Sequence, residues 1–302
     1  MARLPVLASL LLSLLLPASA TSAPLTKEIE VNGVRLSVAE DGSGEPVLGV
    51  HGAFSDLRVW EPLREEIAKR YRLIVYTQRY FGTGAWPDDG HNFSVATHAD
   101  DLTKLIVALN VGPVHLVGRS YGGLVAATAA LKNQSLVRTL TLHEPALVSV
   151  LPPDSPEGKA AREDRVKFTG AALDANRAGD AVQTTRLFIE GVLQLGPGGF
   201  DRLPQAARTM FTDNARTAPL QLAALAQASV TCEALNALDR PTLITHGDKT
   251  QAYYKLINEG VAKCVRGAQQ IGFPNLLHNA PSRDPAAFSA ALFGFLAKGQ
   301  GL

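Results

Sequence analysis

The chain has 302 residues, 46% of them hydrophobic, which is enough to bury a large core without a metal or a dense disulfide framework. Its 29 basic and 28 acidic residues leave a formal net charge of +1 and form no block of one sign, which argues against a phosphate backbone, and so nucleic acid, as partner. One main domain carrying an insertion is the expected organisation.

The first segment, MARLPVLASLLLSLLLPASA, combines an early Arg3, a leucine-rich run from Leu4 to Leu16 and the small-x-small pattern Ala18-Ser19-Ala20. Residues 1–20 therefore read as a cleaved signal peptide, and the run is shorter than the roughly 20 apolar residues a bilayer core needs. This reading implies an exported protein, periplasmic or secreted, with no stable membrane span after cleavage. In an oxidising compartment the only two cysteines, Cys232 and Cys264, can form one disulfide between the chain before a late strand and the helix after it. Two buried free thiols are the alternative.

Short apolar runs follow: Val34 to Ala39, Val47 to Val50, Leu73 to Tyr76, Val114 to Val117, Leu140 to Leu142, Thr242 to Thr245 and Ala268 to Ile271 read as strands. Between them, Thr97 with Asp100 three residues on suggests a helix N-cap, and Leu102, Leu105, Ile106 and Leu109 then share one helical face. Near the end, Asp284-Pro285 caps a second clear helix through Phe288, Ala291, Leu292 and Phe295. Such alternation predicts a mostly parallel sheet covered on both faces. The rhythm breaks from about Ser149 to Thr231, where helical patterns around 160–178, 181–195 and 204–214 replace strands and suggest an inserted helical segment.

Val114-His115-Leu116-Val117 leads directly into Gly118-Arg119-Ser120-Tyr121-Gly122, a G-x-S-x-G pattern, and Leu124, Val125, Thr128 and Leu131 continue it as a helix. In a parallel sheet the carboxyl ends of the strands form the ligand crevice, so Ser120 is the candidate nucleophile. A serine hydroxyl needs a base to take its proton. His278, in the loop between the last strand and the last helix, is the candidate base because its place and its order after the serine fit a triad. An oxyanion requires two backbone N–H groups. Tyr121 supplies one by position, and Ala53, after the strand that ends in His51-Gly52, is chosen for the other. His51 itself reads as a packed, hydrogen-bonded support.

Taken together, Gly118-Arg119-Ser120-Tyr121-Gly122-Gly123, His51-Gly52, Gln78-Arg79-Tyr80-Phe81-Gly82, Pro241-Thr242-Leu243-Ile244 and His278 resemble, in this order, the α/β-hydrolase superfamily. The resemblance implies an α/β fold with a mostly parallel eight-stranded sheet flanked by helices, and a helical cap inserted after strand six. On this division residues 25–148 and 232–300 form the core and 149–231 the cap. It also implies a Ser–His–acid triad, an acyl-enzyme, no cofactor, and a small-molecule acyl substrate such as an ester or lactone.

The acid departs from the pattern. Related hydrolases usually carry an aspartate three residues past a glycine after strand seven, and here Gly247-Asp248-Lys249-Thr250 puts Thr250 there. Glu144, after strand six, is the preferred acid, because a carboxylate facing the crevice there needs a partner such as His278 to offset its desolvation. Asp248 is the alternative. His51, His143, His246 and His278 all lie near strand ends, but none shows the local spacing of zinc ligands, so no metal site is expected. The serine argues against chemistry that uses an aspartate nucleophile, and leaves carbon–carbon hydrolysis, cofactor-free peroxidase activity or a ligand-binding protein with little turnover as alternatives. Phe188, Ile189, Val192, Leu193 and Phe211 are candidates to line an apolar pocket, with Tyr80, Phe81, Trp60 and Trp86 near the crevice.

Overall fold

In a computed structural model, which describes residues 26–227 and 230–298, eight strands form one sheet: β1 (Thr26–Val31), β2 (Val34–Asp41), β3 (Pro46–Val50), β4 (Arg72–Tyr76), β5 (Val114–Arg119), β6 (Val137–His143), β7 (Thr242–Gly247) and β8 (Gln269–Phe273). The export signal expected over residues 1–20 lies outside the described residues. The spatial order is β1-β2-β4-β3-β5-β6-β7-β8, with β2 antiparallel to both of its neighbours and every other pairing parallel. The apolar runs read from sequence fall within β2 to β8, except that the last, Ala268 to Ile271, begins one residue before β8. β1 escaped that reading because Lys27, Glu28 and Glu30 interrupt any apolar run. It becomes a strand because Asn32 and Gly33, at φ of 47° and 72°, make the tight turn that pairs it with β2.

Adjacent residues along the central strands feed two separate cores. Leu48, Ile74 and Leu116 pack on one face with Leu102 and Leu105 of α2 (Val95–Leu109) and Leu124 and Val125 of α3 (Tyr121–Lys132). Val47, Leu73 and Val117 pack on the other with Leu63 and Ile67 of α1 (Glu61–Ala68). This period of two is the strand pleat, and burial on both faces explains why every residue of β5 is buried. The cap of α2 corrects the sequence expectation: Ser94, not Thr97, accepts the amide hydrogen bond, at 3.0 Å from Thr97 N, and Thr97 lies inside the helix.

Between β6 and β7 come α4 (Pro156–Arg177), α5 (Ala181–Val192), α6 (Gln205–Asp213), α7 (Ala218–Gln227) and α8 (Cys232–Asn236), with no strand among the described residues there. α9 (Ala252–Cys264) joins β7 to β8, and α10 (Ala280–Arg283) and α11 (Pro285–Leu296) close the chain. Phe288 and Leu292 of α11 complete the core beneath α1. Cys232 and Cys264 form a disulfide with their Cα atoms 5.0 Å apart, tying α8 to the last turn of α9. Among the described residues no helix is long and apolar enough to cross a membrane.

Candidate active site

Only Ser120 separates β5 from α3, and the chain reverses there with φ 52° and ψ −117°. A side-chain-bearing residue in this region is strained by roughly 1–3 kcal/mol, so the surroundings must hold it. They do so through the backbone. The Ser120 amide donates to the His143 carbonyl at 2.9 Å, and its own carbonyl accepts from Gly123 at 2.9 Å and Ala146 at 3.0 Å, which fastens the turn to the end of β6. The flanking glycines permit the close approach. A Cβ at Gly118 would strike the Gly122 carbonyl, and one at Gly122 would strike the carbonyls of Val50 and His51.

His278 leaves β8 in a loop that returns it to this turn, and its Nδ1 lies 2.6 Å from Glu144 Oε2. Glu144 is fully buried at φ 42°, directly after β6. Its Oε1 accepts the Gly247 amide at 2.8 Å and its Oε2 also accepts the Thr250 hydroxyl at 2.7 Å. Burial opposes ionisation of this carboxyl, but the charge and hydrogen bond of His278, reinforced by Thr250, outweigh it and hold the group below the ordinary 4.5. An ionised Glu144 accepts the Nδ1 proton of His278, which leaves Nε2 unprotonated and able to accept one.

Asp248, the alternative acid, is not brought to His278. Its amide donates to the Phe273 carbonyl at 3.0 Å, and its Oδ1 is buried without a hydrogen-bond partner. Thr250, which occupies the place where the resemblance expects an acid, donates to Glu144 instead. Sequence reasoning dismissed it because threonine carries no charge; its value as a hydroxyl donor to a carboxylate from the neighbouring strand has no local sequence signal.

Two of the other strand-end histidines, His51 and His143, act as braces. His51 Nε2 accepts the Gln78 amide at 3.0 Å, so Nδ1 carries the proton and donates to the Gly52 carbonyl at 2.9 Å. Burial lowers its pKa to about 4, which keeps it neutral and fixes the chain leading to Ala53. His143, also neutral because burial lowers its pKa to about 3, lies 3.0 Å by Nδ1 from the Thr245 hydroxyl and 3.0 Å by Nε2 from the His278 carbonyl. With Nε2–H donating to that carbonyl, His143 fixes the backbone of the residue whose ring faces Glu144. The nitrogens of His51 and His143 are thus committed to protein partners.

A cavity of about 1430 Å³ opens over these groups. Ser120, His143, His278 and Ala53 line its base, and Phe188, Ile189 and Val192 from α5, Leu193 just after it, and Met210 and Phe211 from α6 line its apolar side. Met210 was missed in sequence reasoning. Tyr121 is the first residue of α3, where backbone amides have no partner within the helix and carry the positive end of its dipole. Its buried phenol lies 2.7 Å from His98 Nδ1, which anchors the residue. Tyr80 and Phe81 reach the cavity, but Trp60 and Trp86 do not line it. Trp60 packs against Gly49 in the core beneath the sheet, and Trp86 packs against Tyr80.

Comparison with known proteins agrees with this architecture. The family model described as alpha/beta hydrolase fold matches residues 45–260. A 2-(acetamidomethylene)succinate hydrolase of Mesorhizobium japonicum is 34% identical over 116 residues, which are 38% of this chain and 41% of that protein. The chain thus spans well under half of that relative. A 2-hydroxymuconate semialdehyde hydrolase of a Pseudomonas species is 26% identical over 295 residues, covering 93% of this chain and 97% of the relative. Among solved structures, a thermophilic esterase of Thermogutta terrifontis with malate bound superposes with a TM-score of 0.70 at 26% identity, covering 91% of this chain and 99% of that one. With its sheet order, its serine turn and a family match over most of its length, the chain belongs to the α/β-hydrolase-fold family.

Proposed function

We propose that the chain is a serine hydrolase of esters, lactones or related acyl bonds, with Ser120, His278 and Glu144 as its triad. The observation that carries this reading is the buried Glu144 carboxylate, which accepts from His278, Thr250 and Gly247 together. A carboxylate so held keeps His278 in the tautomer whose Nε2 is free to take the Ser120 proton. Oγ then attacks the substrate carbonyl carbon, and the oxyanion is received by the amides of Tyr121 and Ala53. As the tetrahedral species collapses, the leaving group takes the proton from His278 Nε2. Water, deprotonated by the same nitrogen, attacks the acyl carbon, and the carboxylic product departs as Ser120 regains its proton.

The helical segment of residues 149–231 acts as a cap in this reading, and its apolar lining selects a substrate with an uncharged, apolar portion. Export follows from the segment 1–20 and is supported by the Cys232–Cys264 disulfide, a bond typical of oxidising compartments. A fluorophosphonate probe tests the central claim: purified protein should be labelled on Ser120, and Ser120→Ala should abolish labelling and hydrolysis of short-chain esters. Folded wild-type protein that resists the probe overturns the reading. A second reaction, hydrolysis of a carbon–carbon bond on the same residues, is favoured by the near full-length match to the 2-hydroxymuconate semialdehyde hydrolase. Assay of a vinylogous ring-cleavage ketone beside esters separates the two.

A further inference from the structure

Beyond the triad, one side chain meets the imidazole of His278 face on. Tyr254, in the first turn of α9, is buried, and its ring stacks on that of His278 with centroids 4.1 Å apart and planes inclined by 24°. The ring is held from behind. Phe168 of α4 packs against it at 6.1 Å, and Tyr253 meets it edge to face at 4.9 Å.

The start of α9 is in turn gripped by the helices inserted after β6. Asp164 of α4 accepts the Tyr253 amide at 2.9 Å. Gln251 donates to the Gly191 carbonyl of α5 at 2.8 Å, and Gln194 donates to the Lys249 carbonyl at 2.8 Å. These bonds set the height of the helix start, and with it the plane of the tyrosine ring. Residues 249–254 therefore connect the inserted helices to the two side chains that flank His278: Thr250 bonds Glu144, and Tyr254 covers the imidazole.

We infer that Tyr254 is a positioning residue that clamps the His278 ring between itself and Glu144 and stabilises its imidazolium form through the electron-rich face of the phenol. The inference rests on the reading of His278 as general base. An aromatic face against a desolvated cation attracts it, an effect of the same origin as cation–π pairing. In the reaction the imidazolium forms as Ser120 gives up its proton, so the contact strengthens along the reaction rather than on substrate binding. The titratable and charged groups facing the ring are Glu144 and His143 from the end of β6 and Tyr254 from α9, with Arg119 beyond Glu144 at the end of β5. His143 is neutral, Arg119 disfavours an added cation, and Glu144 and Tyr254 favour it.

Tyr254→Leu should slow fluorophosphonate labelling of Ser120 and lower kcat by roughly 10-fold while KM stays within about 2-fold, because the contact acts on the base and not on the substrate. The acid limb of the kcat/KM profile should move to lower pH in Tyr254→Leu, since a less stabilised imidazolium loses its proton more readily. Tyr254→Phe, which keeps the ring, should recover most of the lost rate and return the limb toward its wild-type position. Tyr253→Leu removes a neighbouring buried ring that does not touch His278; it should lower Tm comparably without moving the limb. An unmoved limb and unchanged labelling in Tyr254→Leu would overturn the inference, as would an equal shift in Tyr253→Leu. Wild-type protein that is never labelled at Ser120 would instead remove the general-base reading beneath it.

Discussion

The ends of β6 and β7 lie side by side in register, His143 opposite Thr245, and each is followed within one residue by a carboxylate: Glu144 after β6, Asp248 after β7. Their surroundings could hardly differ more. Glu144 is fully buried and spends its two oxygens on three donors, one of them an imidazole. Asp248 keeps a buried oxygen with no partner at all. A carboxylate at a strand end is common; one whose desolvation is offset by converging donors is the one that can hold a charge through a reaction. The end of β7 brings Asp248 no such donors, yet it supplies the Gly247 amide, from the strand's last residue, and the Thr250 hydroxyl, from the loop beyond, that make the buried carboxylate of the neighbouring strand tenable.

The sharpest way to break the comparison is to neutralise each acid in turn. Glu144→Gln retains the shape and can accept only in part, leaving His278 free to adopt the wrong tautomer; the rate of ester hydrolysis should fall roughly 10³- to 10⁴-fold, as expected for loss of a triad carboxylate. Asp248→Asn removes a charge that has an unpaired buried oxygen, and should leave kcat within about 3-fold while stability is unchanged or slightly raised. Equal losses in the two variants would mean that the charge near β7 matters as much as the one after β6. Steady-state rates with a chromogenic ester, with far-ultraviolet circular dichroism to check folding, decide between these outcomes.

The contrast also explains how much could be read from the chain itself. Ser120 stands out because local requirements coincide within a few residues: an apolar run, glycines that allow close packing and a helical pattern after it. His278 was placed by order along the chain, after the last strand and before the Asp284-Pro285 cap. What brings Glu144 to His278 is a pairing across 134 residues, and the donors Gly247 and Thr250 come from the end of β7 and the turn after it, which chain order puts beyond the whole helical insertion. No periodicity encodes such a contact. The same holds for Tyr254, which in sequence is simply the second of two tyrosines starting an amphipathic helix. Ser94 was passed over as a cap because Thr97 satisfies the same pattern three residues later, and β1 because its charged residues look like a loop until β2 pairs with it.

Acid stability should test the buried state of Glu144 and of the neighbouring histidines, with a smaller effect. His51, His98 and His143 are buried and neutral, with burial lowering their pKa values to about 4, 3 and 3 from an ordinary 6.5. The unfolded chain binds their protons first, so the stability they contribute is complete above pH 6.5 and declines as pH falls toward the folded values. Glu144, lowered from 4.5, adds its own loss only below that value. Thermal unfolding should therefore show Tm decreasing from pH 6.5 downward by several degrees, steepening below 4.5. Glu144→Gln should flatten only the lower part. A Tm that is level from pH 7 to pH 5 would contradict the neutral burial of the three histidines.

The finest division concerns Thr250 itself. Thr250→Val keeps the volume and branching and removes one hydrogen bond to a charged acceptor, a loss of about 1.5–3 kcal/mol if it were fully expressed. Glu144 Oε2 would retain His278, and Oε1 would retain Gly247, so the carboxylate stays ionised but is less constrained in rotation. The expected result is a fall in kcat of roughly 10-fold with KM unchanged, smaller than for Glu144→Gln because the charge survives. Thr250→Ser, which restores the hydroxyl, should recover most of that rate. If the valine and serine variants behave alike, Thr250 is only a packing residue of the β7–α9 turn, and the acid after β6 is held by the Gly247 amide and His278 alone.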